Sequence, residues 1–351
     1  MTDRPDSGSP LFSTAALVTA TLIVGGVVVL ALLLRYLSDV VLLFFGAVVV
    51  AVILRSLAGL LEKYTPVRSP WSLVLSVLAI AALVAAFMVP LGFQIATEAS
   101  DLFRRLPELV SSLGDRLGIA DLNERLAERL KSFADRNGAA GDIAGYTSTL
   151  IGAAANLLLV IVAGIYLAAH PDRYRRGIVK LVPQRARAEA ASTVDNAGQA
   201  LRLWLMGQLV SMSIVGALVT LGLFAIGMPS ALTLGFLAGL SEFVPIIGPI
   251  LSAIPALLLA FSEGGNTIFW VAGLYLLVQQ IEGNVIMPLV QRHTVDLPPV
   301  LTLFALVALG LLFGPLGVLL GTPLTVVLYV AVTQLYLRDA LEEDVEIPGD
   351  D

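Results

Sequence analysis

Residues 297–337 read LPPVLTLFALVALGLLFGPLGVLLGTPLTVVLYVAVTQLYL, 41 positions without one charged side chain. As a single α-helix this run would be about 60 Å long at ~1.5 Å per residue, twice the ~30 Å of bilayer hydrocarbon. It has to break or fold back. Gly314-Pro315 and the Gly-Thr-Pro of 321–323 supply the places, because proline removes a backbone donor and crowds the preceding turn. Three further uncharged runs, 69–97, 143–169 and 203–241, each exceed the ~20 residues needed to span a bilayer. The reading is an all-α polytopic membrane protein. It has about eight transmembrane segments, with broken or re-entrant helices in the C-terminal half and a helical soluble insertion.

Composition agrees. The 351 residues are 57% hydrophobic and 14% charged, with a mean hydropathy of +0.89, whereas soluble domains carry about 25% charge. A soluble enzyme and a nucleic-acid binder are excluded. The absence of cysteine removes disulfides, thiolate metal sites and thiol nucleophiles. Phosphate-binding Gly-rich loops ending in Gly-Lys-Ser/Thr, His-Glu-x-x-His and Gly-x-Ser-x-Gly are missing from the sequence, so no enzyme activity, cofactor or metal is expected. Solute movement then follows its own gradient or an ion gradient, each charge being worth ~2.3 kcal/mol per 100 mV.

Charge divides the chain. Residues 1–96 hold three spans, the first over 13–34 and paired as a hairpin with the short run 40–54. Residues 97–145 form an extramembrane insertion in which Leu102, Leu106, Leu109, Leu113 and Leu117, then Leu122, Leu126, Leu130 and Phe133, recur at helical spacing. Span four covers 146–169, and 170–202 is a basic segment with seven Lys/Arg against three Asp/Glu. Residues 203–337 form the transport core, and 338–351 an acidic tail. Trp71, Trp204 and Trp270 fall where spans begin, as interfacial anchors do. Loop parity puts eleven basic residues on the side of the N-terminus and eight on the other, which favours a cytoplasmic N-terminus.

Polar residues inside apolar runs are candidates for function, since a carboxylate at the bilayer centre costs ~3 kcal/mol on insertion scales. Between 203 and 337 only Glu242, Glu263, Glu282, Arg292 and Asp296 are charged. Glu263 falls in a Ser-Glu-Gly-Gly-Asn turn. Glu242 opens an interruption, EFVPIIGP, with Pro245, Gly248 and Pro249. Such broken segments line substrate sites in transporters. Gly248-Pro249 followed by Pro255 has an echo in Gly314-Pro315 followed by Pro323. At ~100° per residue, Glu282, Gln279, Gly283, Gln280 and Asn284 share a polar face about 200° wide, suited to a small polar solute. Arg292, near His293, could neutralise Glu242 or Glu282 if the chain folds back. Glycines four apart, at 235 and 239, 310 and 314, and 317 and 321, allow close helix packing.

Three ordered motifs carry a family resemblance: EFVPIIGPILSAIP over 242–255, QIEGNVIMP over 280–288 and GPLGVLLGTP over 314–323, together with RLWLMGQ over 202–208. They resemble the autoinducer-2 exporter family, also called PerM-type permeases, over most of the chain. The resemblance implies an oligomeric bacterial inner-membrane transporter, in a family assigned to export of autoinducer-2, with other members linked to exchange of sodium or lithium for protons. Pro245, Gly248, Pro249, Glu282, Gly283, Asn284 and Pro288 stand at its motif positions. At 297–299 this chain has Leu-Pro-Pro, where the family often has a His before the second Pro. Three functions are expected to compete: a transporter of a small polar metabolite such as autoinducer-2, a sodium(lithium)/proton antiporter using Glu242 and Glu282, and a non-transporting assembly factor. The expected partners are that solute or a monovalent cation and proton, the lipid bilayer, and further copies of the chain, with no nucleic acid.

Overall fold

The computed structural model describes residues 25, 37–67, 71–82, 85–86, 141–291 and 297–338. Helices dominate and no strand occurs among the described residues, so the protein is an all-α polytopic membrane protein. The expected first span, the insertion as far as residue 140, the acidic tail from residue 339, and Arg292, His293 and Asp296 lie outside the described residues.

Helix α1, Ser38–Tyr64, is longer than the run 40–54 suggested. Arg55 stands exposed, and Ser56 donates its hydroxyl to the Val52 carbonyl at 2.7 Å, so neither residue stops the helix. Helix α2, Trp71–Ala82, packs with α1 and with α3, Gly141–Ala169, around Ala47, Leu54, Leu73 and Leu167. A 91° bend then leads into α4, Pro171–Lys180, with proline in its first turn, where the missing N–H is not needed. Helix α4 is polar and basic, and none of its residues is buried.

Helix α5, Arg187–Ile226, is about 60 Å long at ~1.5 Å per residue. Its buried residues recur at helical spacing, from Thr193 and Ala197 through Leu201, Leu205 and Val215 to Leu223. The first part of that stripe packs on α1 and the C-terminal helices, the second on the helices that follow α5. The uncharged run 203–241 breaks at residue 227, where Gly227 has φ +82° and ends α5. Helix α6, Ala231–Ser241, returns along α5 with its backbone close. A Cβ on Gly239 would come within 2.6 Å of the Met212 carbonyl oxygen, and one on Gly235 within 2.8 Å of that of Gly216. Between apolar helices in lipid such contact replaces the hydrophobic effect as the source of attraction.

Helices α7, Ile247–Glu263, and α8, Thr267–Ile281, are joined through Gly264 and Gly265, both at positive φ. A π-helical turn, Glu282–Ile286, and α9, Met287–Gln291, continue the chain. The wide turn has a local cause, because in an α-helix the Pro288 ring would collide with the carbonyl four residues earlier.

The run 297–337 folds back once. Residues 299–332 are helical except at Gly314, whose φ of 64° and ψ of −148° are not. Leu306 and Gly321 are fifteen positions apart, which is ~22 Å in a straight helix, yet a Cβ on Gly321 would lie 3.2 Å from Leu306 Cδ1. Gly317 meets Leu309, and Gly310 meets Val318. The segment is therefore a hairpin of α10, 299–313, and α11, 315–332. Length and composition alone would let Pro299–Tyr336 cross a bilayer as one rod, as they would Ser38–Tyr64 and Gln184–Ile226, but the fold at Gly314 shortens each arm to less than ~30 Å.

Two expectations need correcting. The chain does not break at 321–323: Pro323 lies inside the helix, where Thr325 donates its hydroxyl to the Gly321 carbonyl at 2.7 Å and one reversal already suffices. Trp204 is no interfacial anchor. It lies midway along α5, 9% exposed, with its ring edge-on to Phe243 at 6.2 Å between centroids. Trp71 and Trp270 stand exposed near the starts of α2 and α8, in keeping with the anchor role.

Candidate functional site

The site is built where α6 turns into α7. Glu242 follows α6, and its N–H donates to the Ala238 carbonyl at 3.1 Å. Over the next residues Phe243 N–H donates to Leu240, Val244 N–H to Ser241 and Gly248 N–H to Val244. The Glu242 carbonyl accepts from Gln208 Nε2 of α5 at 2.6 Å. The interrupted backbone is thus largely satisfied by protein, as lipid requires.

The turn is also tight. Ile247 N–H donates to the Pro245 carbonyl at 2.8 Å, closing a three-residue turn on Ile246, which has φ 72° and ψ −52°. A β-branched residue at positive φ is strained. Gly248 is buried, and the position requires glycine because a Cβ there would fall 1.8 Å from the Ser241 carbonyl oxygen. Pro249 lies in the first turn of α7, where a proline needs no donor partner.

Glu282 arrives from the other side, at the first position of the π-helical turn. Its carboxyl adjoins that of Glu242, and its Oε2 accepts from Gln279 Nε2 at 2.6 Å. Both acids are buried, Glu242 at 2% exposure and Glu282 at 7%. Oε2 of Glu242 is buried with no donor among the described residues. Two adjoining carboxylates repel, and in low dielectric the repulsion is large. A proton shared between them, or a monovalent cation held by them, relieves it.

The polar stretch 279–284 divides. Gln279, itself exposed, reaches in to Glu282, whereas Gln280 and Asn284, also exposed, are bonded to each other, Asn284 Nδ2 donating to the Gln280 carbonyl at 2.9 Å and to its Oε1 at 3.0 Å. Gly283 is exposed, and a Cβ there would meet nothing within 4 Å. The polar face therefore meets the interior only at its Glu282 edge, and the rest of its arc faces outward. Arg292 lies outside the described residues. The structure adds Gln208, whose signal in the sequence is one amide inside the apolar run 203–241. Tyr275 on α8 donates its hydroxyl to the Ser252 carbonyl of α7 at 3.3 Å, joining the two elements that flank the pair. No group of three His, Asp or Glu suited to a metal ion occurs among the described residues.

Known proteins share this sequence broadly. The chain is similar to YueF of Bacillus subtilis (strain 168), named as a candidate transport protein, with 24% identity over 84% of this chain and 85% of that one. It is similar at 24% identity to the AI-2 transport protein TqsA of Escherichia coli (strain K12), over 89% and 91% of the two chains. A third relative, YrrI of B. subtilis, also named as a candidate transport protein, is 28% identical over 47% of each chain. The model of the AI-2E family transporters matches residues 17–337, a stretch that includes the carboxyl pair and both helical hairpins, and the chain therefore belongs to the AI-2E transporter family.

Proposed function

We propose that the chain is a secondary transporter in the inner membrane, N-terminus cytoplasmic, that moves a small polar solute of the autoinducer-2 kind and couples the movement to a proton at Glu242 and Glu282. The observation that carries this reading is the buried carboxyl pair with one donorless oxygen. A site that must take up and release a proton needs an acid held away from fixed counter-charges, and it lies between discontinuous helices as transporter sites do. Likeness to TqsA supports the solute class. Family membership in transport weighs against an assembly factor.

The same donorless oxygen favours one second reading, exchange of sodium or lithium for protons. Proteoliposomes separate the two. Under the first reading, an autoinducer-2 gradient drives proton movement, and Glu282→Gln abolishes it. Under the second, a sodium gradient alone drives proton movement with the same loss. Solute transport that continues unchanged in Glu282→Gln, with no proton signal, overturns the role of the pair.

A further inference from the structure

A cavity of about 540 Å³ lies between α1, the α3–α4 bend and α5, lined by residues from Phe44 and Val48 through Arg55 and Glu62 on α1, and by Gly198 and Arg202 on α5. None of the residues of the carboxyl site lines it. Its volume falls in the range of small-molecule sites.

The charges are uneven. Arg175 lines the cavity but is committed to Asp195 through two parallel hydrogen bonds. Glu62 accepts from the Ser72 hydroxyl. Arg55 and Arg202 make no ion pair or side-chain hydrogen bond among the described residues. Two open guanidiniums in one recess, with a single acid already engaged, form a receptor for an anion.

The shape is that of an amphiphile. From Phe44 to Glu62 the lining runs eighteen positions along α1, about 27 Å at ~1.5 Å per residue. Its far end is apolar, with Phe44 half exposed, its near end carries Arg55 and Glu62, and Arg202 joins the lining from α5. Helix α4 closes the near end with Tyr174 and Ile178. It lies at 91° to the span before it and exposes Arg173, Arg176 and Lys180, the arrangement of an interfacial helix on an anionic leaflet. A free phosphate would occupy the arginines and leave the long apolar end empty.

We infer that this cavity binds an anionic phospholipid, with its headgroup phosphate on Arg55 and Arg202 and an acyl chain along Val48 and Phe44. Native mass spectrometry of the full-length protein, titrated with phosphatidylglycerol or phosphatidylcholine, tests it. Wild type is expected to prefer phosphatidylglycerol about tenfold or more, taking ~1 kcal/mol per arginine near a surface. Arg55→Gln/Arg202→Gln loses that preference. Arg173→Gln/Arg185→Gln, which removes equal charge outside the cavity, keeps it. Arg55 and Arg202 are both exposed, and Arg202→Gln alone, with a severalfold loss expected, serves if the double variant misfolds. Equal binding of the two lipids, or equal loss in both double variants, overturns the site. Displacement of the lipid by inorganic phosphate alone also overturns it, by showing a free-anion pocket.

Discussion

Gly248 and Gly283 lie on opposite flanks of the carboxyl pair and do different work. At Gly248 any side chain meets the Ser241 carbonyl oxygen, 1.8 Å from an ideal Cβ, and the atom in the way is backbone. Gly248→Ala is expected to cost about 3 kcal/mol, the upper part of the overpacking range, and to displace Glu242 together with the turn. Gly283→Ala meets open space and should shift stability by no more than about 1 kcal/mol. Unfolding midpoints in sodium dodecyl sulfate titrations of the two purified variants check the contrast, and equal shifts would refute it. The same residues show how far the sequence could be read. Glu242 and Glu282 stand out there because charge in an apolar run is expensive. Gln208 does not, because an uncharged amide costs less and its partner is a backbone carbonyl 34 positions away. Gly283 faces out and Glu282 in because neighbours on a helix stand ~100° apart, and Glu282 is the edge of the polar arc that meets the interior; which edge that would be rests on packing.

At the scale of elements, two hairpins share a design in which a helix ends, the chain reverses, and a Gly-Pro pair opens the next helix: Gly248-Pro249 in α7 and Gly314-Pro315 before α11. The excess length of 297–337 made a reversal legible, and proline chemistry narrowed it to two places. The choice of Gly314 over 321–323 rests on packing, since Gly317 and Gly321 lie against Leu309 and Leu306. The other reversal places its positive φ on Ile246, not on glycine. Strain in such a conformation runs to about 1–3 kcal/mol, against ~0.5–1 kcal/mol for the extra chain entropy of glycine. Ile246 is 52% exposed, so little packing is lost on truncation. Ile246→Gly is therefore expected to stabilise the protein by about 1 kcal/mol, read as a higher denaturation midpoint. If Ile246→Ala and Ile246→Gly instead destabilise equally, the side chain's contacts outweigh its backbone strain.

Across the whole molecule, α5 is the one helix that touches every described region of function. Its first turns reach the arginine-lined cavity, its middle supplies Gln208 to the carboxyl turn, and its last turns pack α6 and α8. To its apolar contact with the C-terminal hairpin is added a polar bridge just past α11, from the π-helical turn Thr333–Arg338. Gln334, 1% exposed, accepts from Asn196 Nδ2 at 3.1 Å and donates to Ser192 Oγ at 2.8 Å. Ser192 also donates to the Glu189 carbonyl at 2.9 Å, so it keeps a partner if Gln334 is lost, whereas Asn196 loses its side-chain acceptor. Gln334→Leu should then cost about 1–3 kcal/mol, the penalty for a polar group left unpaired in a buried place. Asn196→Leu should cost at least as much, because it leaves Oε1 of the more deeply buried Gln334 without its donor, whereas the half-buried Asn196 amide can turn to water. The double variant removes both ends of the bond, and its cost should fall short of the sum of the singles by about 1 kcal/mol. A cycle of denaturation midpoints measures this. Strict additivity would mean that α11 is held to α5 by the apolar contacts of Leu201, Leu205 and Val330 alone, with the amide bridge contributing nothing to how the hairpin is set against the helix that carries Gln208.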